Sequence, residues 1–288
     1  MLDPVAATIA AARLGPVLEA GRRAPGMTLA VIDGPIDTSH SALAAANIEQ
    51  TVPQNCTFAP AARAHATMIA SILVGAGDRV LGLCPAAHIV SLPVADSAFD
   101  DGTIALPRLV ARLCDAIAEA SRRQAHVIHI SLEFHPEFST AFAPVAEALA
   151  AAAAKGTITV ISAGNAYRLG SNAVLLGPGV LPVAMCDRAG RPAATASYGR
   201  GIGARGVSAP GEDVPGAVPD GHARGTGTSY AAAIVTGTVA LLRSICPRRS
   251  PHEIIYALRG QRPGRVPHRS LFPPPVNGEL ALALLARR

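Results

Sequence analysis

Met27-Thr-Leu-Ala-Val-Ile32, stopped abruptly by Asp33-Gly34-Pro35, is the stretch whose reading decides the fold. It is short, nearly all apolar, rich in β-branched residues and without polar alternation. Such a run ending at a sharp turn is a strand buried on both faces, the strand type of parallel sheets. The pattern recurs at His88–Val94, Ala125–Leu132 and Thr157–Ser162. Helix-like stretches separate these runs at Ala66–Val74, Ala105–Arg123 and Thr140–Lys155. Strand and helix in alternation imply crossover units, hence an α/β, three-layer architecture: a mostly parallel central sheet with helices on both faces. Sites in such sheets lie beyond the carboxyl ends of the strands. The segments to watch are therefore Asp33, Ser131 to Phe134, and Ala163-Gly164-Asn165.

Outside this frame, residues 5–20 are Ala-rich and predict an opening helix. Thr228–Cys246, Pro251–Leu258 and Glu279–Ala286 predict further helices. Between Gly177 and Pro219 glycine and proline are dense, and the short runs Val180–Met185 and Gly206–Ser208 predict antiparallel pieces among surface loops. No repeat or linker divides the chain, so residues 1–288 are expected to form a single domain with a motif-bearing core of about 27–258.

Composition narrows the function classes. Half of the 288 residues are hydrophobic and 16% are charged, against about 25% in an average soluble domain. A coiled coil, a disordered tail or an acidic scaffold is excluded. The net charge of +5 is carried by arginines scattered in pairs such as Arg22-Arg23, Arg122-Arg123 and Arg248-Arg249, with no basic stripe interleaved with aromatics. Nucleic acid is not an expected partner, because tracking phosphates needs concentrated charge. Five cysteines, Cys56, Cys84, Cys114, Cys186 and Cys246, are odd in number and far apart, which predicts neither a disulfide framework nor a structural zinc. The opening Met1-Leu2-Asp3-Pro4 lacks a basic and apolar leader, so no signal peptide is expected and the protein is read as cytoplasmic. The uncharged stretch from Gly225 to Leu242 is too short in its apolar part to span a bilayer and reads as a buried helix, so no membrane partner is expected.

Four segments carry chemistry: Val31-Ile-Asp33-Gly-Pro-Ile-Asp37-Thr-Ser-His40, Ala64-His65-Ala-Thr-Met-Ile-Ala-Ser71, Val160-Ile-Ser-Ala-Gly-Asn165, and Gly225-Thr-Gly-Thr-Ser229-Tyr-Ala-Ala232. They supply an acid at a strand end, a histidine at the start of a helix, an amide at a strand end and a serine opening a helix. Nucleophilic acyl transfer needs this set: a hydroxyl, a base to take its proton, a carboxylate to hold the base, and donors for the oxyanion. The chain order Asp, His, Ser is one of the known triad orders. Taken singly each residue has a plainer reading, Asp33 and Asn165 as turn residues and His65 as one of nine histidines. Asp37 reads as a helix cap, and His40, His126 and His129 as structural or surface residues. The approach to Ser229 lacks the Gly-Lys-Ser/Thr of a phosphate cradle and the Gly-x-Ser-x-Gly elbow.

Together the four segments resemble the subtilisin-like serine protease family, in the same order and over nearly the whole chain. The likeness continues through Ile130-Ser-Leu132, Val207-Ser-Ala-Pro-Gly211 and a closing Gly278-Glu-Leu-Ala-Leu282. The turn Asp33-Gly-Pro-Ile-Asp37 is similar to that of leader-processing proteases of cyanobactin-type peptide biosynthesis. The resemblance implies that Ser229 is the nucleophile, His65 the general base and acid, Asp33 the residue that orients it, and Asn165 with the Ser229 N–H the oxyanion site. It implies that Ser131, Leu132, Glu133, Ala163 and Gly164 bind an extended peptide or protein substrate, which for a leader-processing enzyme is a ribosomal precursor peptide.

Departures from the family bear on specificity. Its usual Asp-Ser/Thr-Gly is here Asp33-Gly34-Pro35, its His-Gly-Thr-His is His65-Ala66-Thr67-Met68, and its Met after the nucleophile is Tyr230. Glu133 stands where the family commonly has glycine, and with Asp100-Asp101 opposite it predicts an acidic, restrictive cleft that favours basic side chains. No metal or other cofactor is expected, since the segment around His40-Ser41-Ala42 lacks the family's calcium-binding aspartate and Gly75–Val80 offers only Asp78. About 30 residues precede Asp33, too few for a folded inhibitory pro-domain. The expected activity is limited endoproteolysis, with general intracellular degradation and peptide binding without cleavage as the competing readings.

Overall fold

The computed structural model describes residues 4–21, 23–52, 57–94, 105–134, 136–166, 172–261 and 270–287. A seven-stranded sheet, all of whose neighbours pair in parallel, lies at the centre. Its strands are β1 (Thr28–Asp33), β2 (Asn47–Gln50), β3 (His88–Pro93), β4 (Val127–Ile130), β5 (Ile158–Ser162), β6 (Val180–Cys186) and β7 (Val207–Pro210), in the order β2-β3-β1-β4-β5-β6-β7. A separate antiparallel pair, β8 (Val214–Val218) and β9 (Gly221–Gly225), precedes the longest helix.

The helices are α1 (Pro4–Ala11), α2 (Gly15–Ala20), α3 (Pro60–Val74), α4 (Leu106–Arg122), α5 (Ala143–Ala154), α6 (Arg200–Arg205), α7 (Thr228–Ile245), α8 (Pro251–Leu258) and α9 (Gly278–Ala286). Strand alternation sorts the core into two layers. Leu29, Val31, Val127 and Val160 face the cluster built by α3, α7 and α8, while Ala30, Ile32, Ile128, Ile130 and Ile161 face α4 and α5. Every described residue of β4, β5 and β6 is buried, as the unbroken apolar runs require. The expected three-layer α/β fold is the observed one.

Several local expectations need correction. Val180–Met185 and Gly206–Ser208 are not antiparallel pieces: they belong to β6 and β7, which extend the parallel sheet. Their crossover contains only the six-residue α6, too short to register as a helical period. The opening helix is two helices, broken where Arg13 takes a positive φ of 50° before Gly15-Pro16. α3 begins at Pro60, five residues before His65, because proline with its preset φ is at home in a helix's first turn. Asp37 caps no helix; its carboxylate accepts from the Ser39 N–H and hydroxyl, and His40 caps the short 3-10 turn Ser41–Leu43. β2 was not foreseen, since Asn47-Ile-Glu-Gln50 is half exposed at the sheet edge.

Candidate active site

β1 lies between β3 and β4, so the chain leaves β1 toward one edge of the sheet and returns across it to β4. This is the switch point at which α/β sheets open a crevice beyond their strand ends. Ile32 pairs with Ile130, which sets Asp33 beside Ser131, one residue further on each strand. Asp33 is 4% exposed. Its Oδ1 accepts the Gly34 N–H at 2.7 Å and meets His65 Nδ1 at 2.9 Å. His65, on the second turn of α3, keeps about a third of its side chain open to solvent.

Burial pushes the Asp33 carboxyl up. The His65 charge and the hydrogen bonds from His65 and the Gly34 N–H, with the nearby Ser131 hydroxyl adding to them, outweigh it, and the net shift is downward. Asp33 is therefore ionised at neutral pH and fixes the proton of His65 on Nδ1, which leaves Nε2 as the basic nitrogen of a ring that lines the crevice.

Gly34 stands where it does because α3 crowds β1. A Cβ on it would sit 2.4 Å from the Ala62 carbonyl oxygen and 2.7 Å from the Ala62 carbonyl carbon. The Asp-Gly departure from the family pattern is thus a packing consequence, and it brings the first turns of α3 close to the end of β1.

Ser229 sits in the first turn of α7, 6% exposed, with its hydroxyl donating to the Ser131 carbonyl at 3.4 Å. N–H groups in that turn have no intrahelical acceptor and carry the positive end of the helix dipole. Asn165, just past β5, accepts the Thr228 N–H on Oδ1 at 2.7 Å. Only the amide oxygen accepts from an N–H, so the contact orients the amide and leaves its NH2 as the outward donor. Asp33, His65, Ser229 and Asn165 all stand at the same end of the sheet.

The segment expected to bind substrate follows directly. Ala163 and Gly164 are buried, and Gly164 has a φ of +107° while its N–H donates to Thr228 Oγ1 at 3.3 Å. Glu133 lies over it: a Cβ on Gly164 would be 2.6 Å from Glu133 Oε1, and the Asn165 N–H points to Glu133 Oε2 at 3.5 Å. Leu132 is buried and its carbonyl accepts from Ser162 Oγ at 3.2 Å. Asp100-Asp101 lie outside the described residues. A cavity of about 530 Å³ opens beside His65, lined by Met68, Leu132, Val218, Ala223, Arg224 and Tyr230. The Tyr230 ring stands 5.5 Å from that of His65.

His129, expected to be a structural or surface residue, is fully buried behind Ser131. The signal that finds it is parity: Val127, His129 and Ser131 share one face of β4, the face that carries Asp33 on β1.

The chain is similar to known proteases in sequence and in fold. A curated relative, the thermostable alkaline protease of Halalkalibacterium halodurans, is 30% identical over 193 residues, 66% of this chain. The match spans about half the length of that relative. Among solved structures, the self-cleaved protease domain of PatA is 28% identical with a TM-score of 0.75, covering 90% of this chain and 96% of that one. The prenylagaramide maturation protease PagA is 26% identical with a TM-score of 0.78, covering 93% and 98%. These two agree with the narrower resemblance to peptide-processing proteases. The subtilase family, Peptidase_S8, matches residues 24–262, and the chain belongs to that family.

Proposed function

We propose that this subtilase is a serine endopeptidase acting through Asp33, His65 and Ser229, with Asn165 in its oxyanion site. The observation that carries this reading is the 2.9 Å contact between His65 Nδ1 and the buried Asp33, beside Ser131, whose carbonyl accepts from Ser229 in the first turn of α7. His65 Nε2 takes the proton of Ser229 Oγ as that oxygen bonds to the scissile carbonyl carbon. The resulting oxyanion accepts from the Asn165 NH2 and the Ser229 N–H. His65 then gives the proton to the leaving amine, and water repeats the sequence to release the acyl group. The 3.4 Å bond from Ser229 to Ser131 is loose enough for the hydroxyl to turn to His65 when substrate arrives.

The substrate class we favour is a precursor peptide from which a leader is cut, in the cytoplasm. Kinship with a prenylagaramide maturation protease supports the first part. The free thiols Cys84, Cys114, Cys186 and Cys246 favour a reducing compartment. Glu133 over Gly164 favours a restricted cleft over general degradation. A fluorophosphonate probe labels the wild type and not Ser229→Ala if the reading holds, and an unlabelled wild type identifies a peptide-binding protein without the activity. Mass spectrometry of peptides cut by the wild type but not by Ser229→Ala then defines the cleavage site.

A further inference from the structure

His129 is the only histidine among the described residues with no exposure, and the proposed chemistry does not use it. Its neighbours on the adjacent strands are Val31 and Val160, and α7 covers it with Thr236. An imidazole in so apolar a row needs partners for both nitrogens. It has them: Nδ1 lies 2.9 Å from Thr236 Oγ1, and Nε2 lies 2.7 Å from Ser131 Oγ. The charged groups that face it are Asp33 from β1 and His65 from α3. Burial, with His65 adding to it and Asp33 opposing, holds the ring neutral with a pKa of about 4.

A neutral ring has one N–H and one lone pair, and this sets the direction of the whole chain. Asp33 Oδ2 is buried with no partner at hydrogen-bond distance, and the strand register sets Ser131 beside Asp33, where its hydroxyl helps to lower the carboxyl's pKa. An ionised carboxylate only accepts, so a Ser131 hydroxyl that serves Asp33 must turn toward it. Its oxygen must then accept from His129, which puts the proton on Nε2, and Nδ1 in turn accepts from Thr236.

We propose that His129, acting through Ser131, is a positioning residue for Asp33, the end of a one-way donor chain Thr236 to His129 to Ser131 to the carboxylate. Each donor in such a chain polarises the next. The chain draws charge toward Oδ2, opposite the oxygen that holds His65, and so tempers the basicity of the His65–Asp33 pair while fixing the plane of the carboxylate. The inference rests on the assignment of Asp33 as the orienting acid of the site.

The test uses the purified full chain and a peptide it cleaves. Breaking the chain in His129→Phe or Ser131→Ala leaves Asp33 with fewer donors and a more basic carboxylate. We expect kcat to fall about tenfold with KM held within about twofold. The acid limb of kcat/KM, which reports free His65, moves up by a few tenths of a pH unit. His129→Gln, whose amide places an N–H where imidazole Nε2 was, restores most of both, which a purely structural role does not predict. Wild-type kcat and an unmoved acid limb in both broken variants overturn the proposal. Where His129→Phe does not fold, Ser131→Ala and Thr236→Val break the chain on either side of an intact ring, and the same null result overturns it. The downfield NMR resonance of the His65 Nδ1 proton gives a readout independent of turnover. A shift in Ser131→Ala supports the chain even where no peptide is cleaved, and an unshifted resonance counts against it.

Discussion

The Thr228 N–H donates to Asn165 Oδ1 at 2.7 Å, so the residue preceding Ser229 fixes which way the Asn165 amide faces. The loop after β5 and the first turn of α7 are locked together, which leaves the amide's NH2 as a donor of fixed orientation. A preorganised donor of this kind is worth about 3–4 kcal/mol to an oxyanion.

Asn165→Asp tests this directly, because a carboxylate still accepts the Thr228 N–H but offers no donor. We expect kcat to fall about 10²- to 10³-fold with KM little changed. Asn165→Leu loses the Thr228 contact as well and should also lower the melting temperature. Equal kcat in Asn165→Asp and wild type would remove Asn165 from the oxyanion site.

Gly34→Ser restores the residue more usual in the family and is nonetheless expected to be damaging. Its Cβ meets backbone atoms of Ala62, which cannot swing aside as a side chain does. The first turns of α3 must move off β1, taking His65 away from Asp33. Expected are a lower melting temperature and a kcat/KM reduced at least about tenfold, since small misplacements of a catalytic base are costly.

Stability should fall on mild acidification through His129. Its pKa drops from about 6.5 unfolded to about 4 folded, so between those values the unfolded chain binds the extra proton. The contribution is fully present above about pH 6.5 and is lost as pH falls toward 4, at up to ~1.4 kcal/mol per pH unit. Asp33, whose carboxyl is depressed, contributes in the same direction only below its unfolded value of about 3.8. Urea unfolding at pH 7 and pH 5 should show a smaller loss in His129→Gln than in the wild type, because the buried group no longer titrates.

Glu133 places a carboxylate against Gly164 and the Asn165 N–H. Peptides with Arg before the cut should be favoured over matched peptides with Leu, and Glu133→Gln should shrink that ratio mainly by weakening the Arg substrate. A ratio unchanged in the variant would make Glu133 a packing residue only.

The strands β1, β3, β4 and β5 were legible because burial on both faces leaves an apolar run with no competing period, and that reading alone implies the parallel sheet. The residues of the candidate site were legible for a related reason: Asp33 ends one of those strands, Ser131 and Asn165 follow two others, and Ser229 follows a glycine-rich entry to a long apolar helix. β6 and β7 were read as antiparallel because a run of four to seven residues carries no record of its partner's direction. Direction is set by where the intervening chain runs, a tertiary property.

The sequence by itself determined the layered architecture, the set of reactive groups and their order along the chain. Which oxygen of Asp33 holds His65, why Gly34 and not serine follows it, how Glu133 covers Gly164, and that His129 lies behind Ser131 were decided only by the tertiary structure. Periodicity assigns a residue to a face. The neighbours it meets there come from strand order and register, and these join positions as distant as His129 and Thr236.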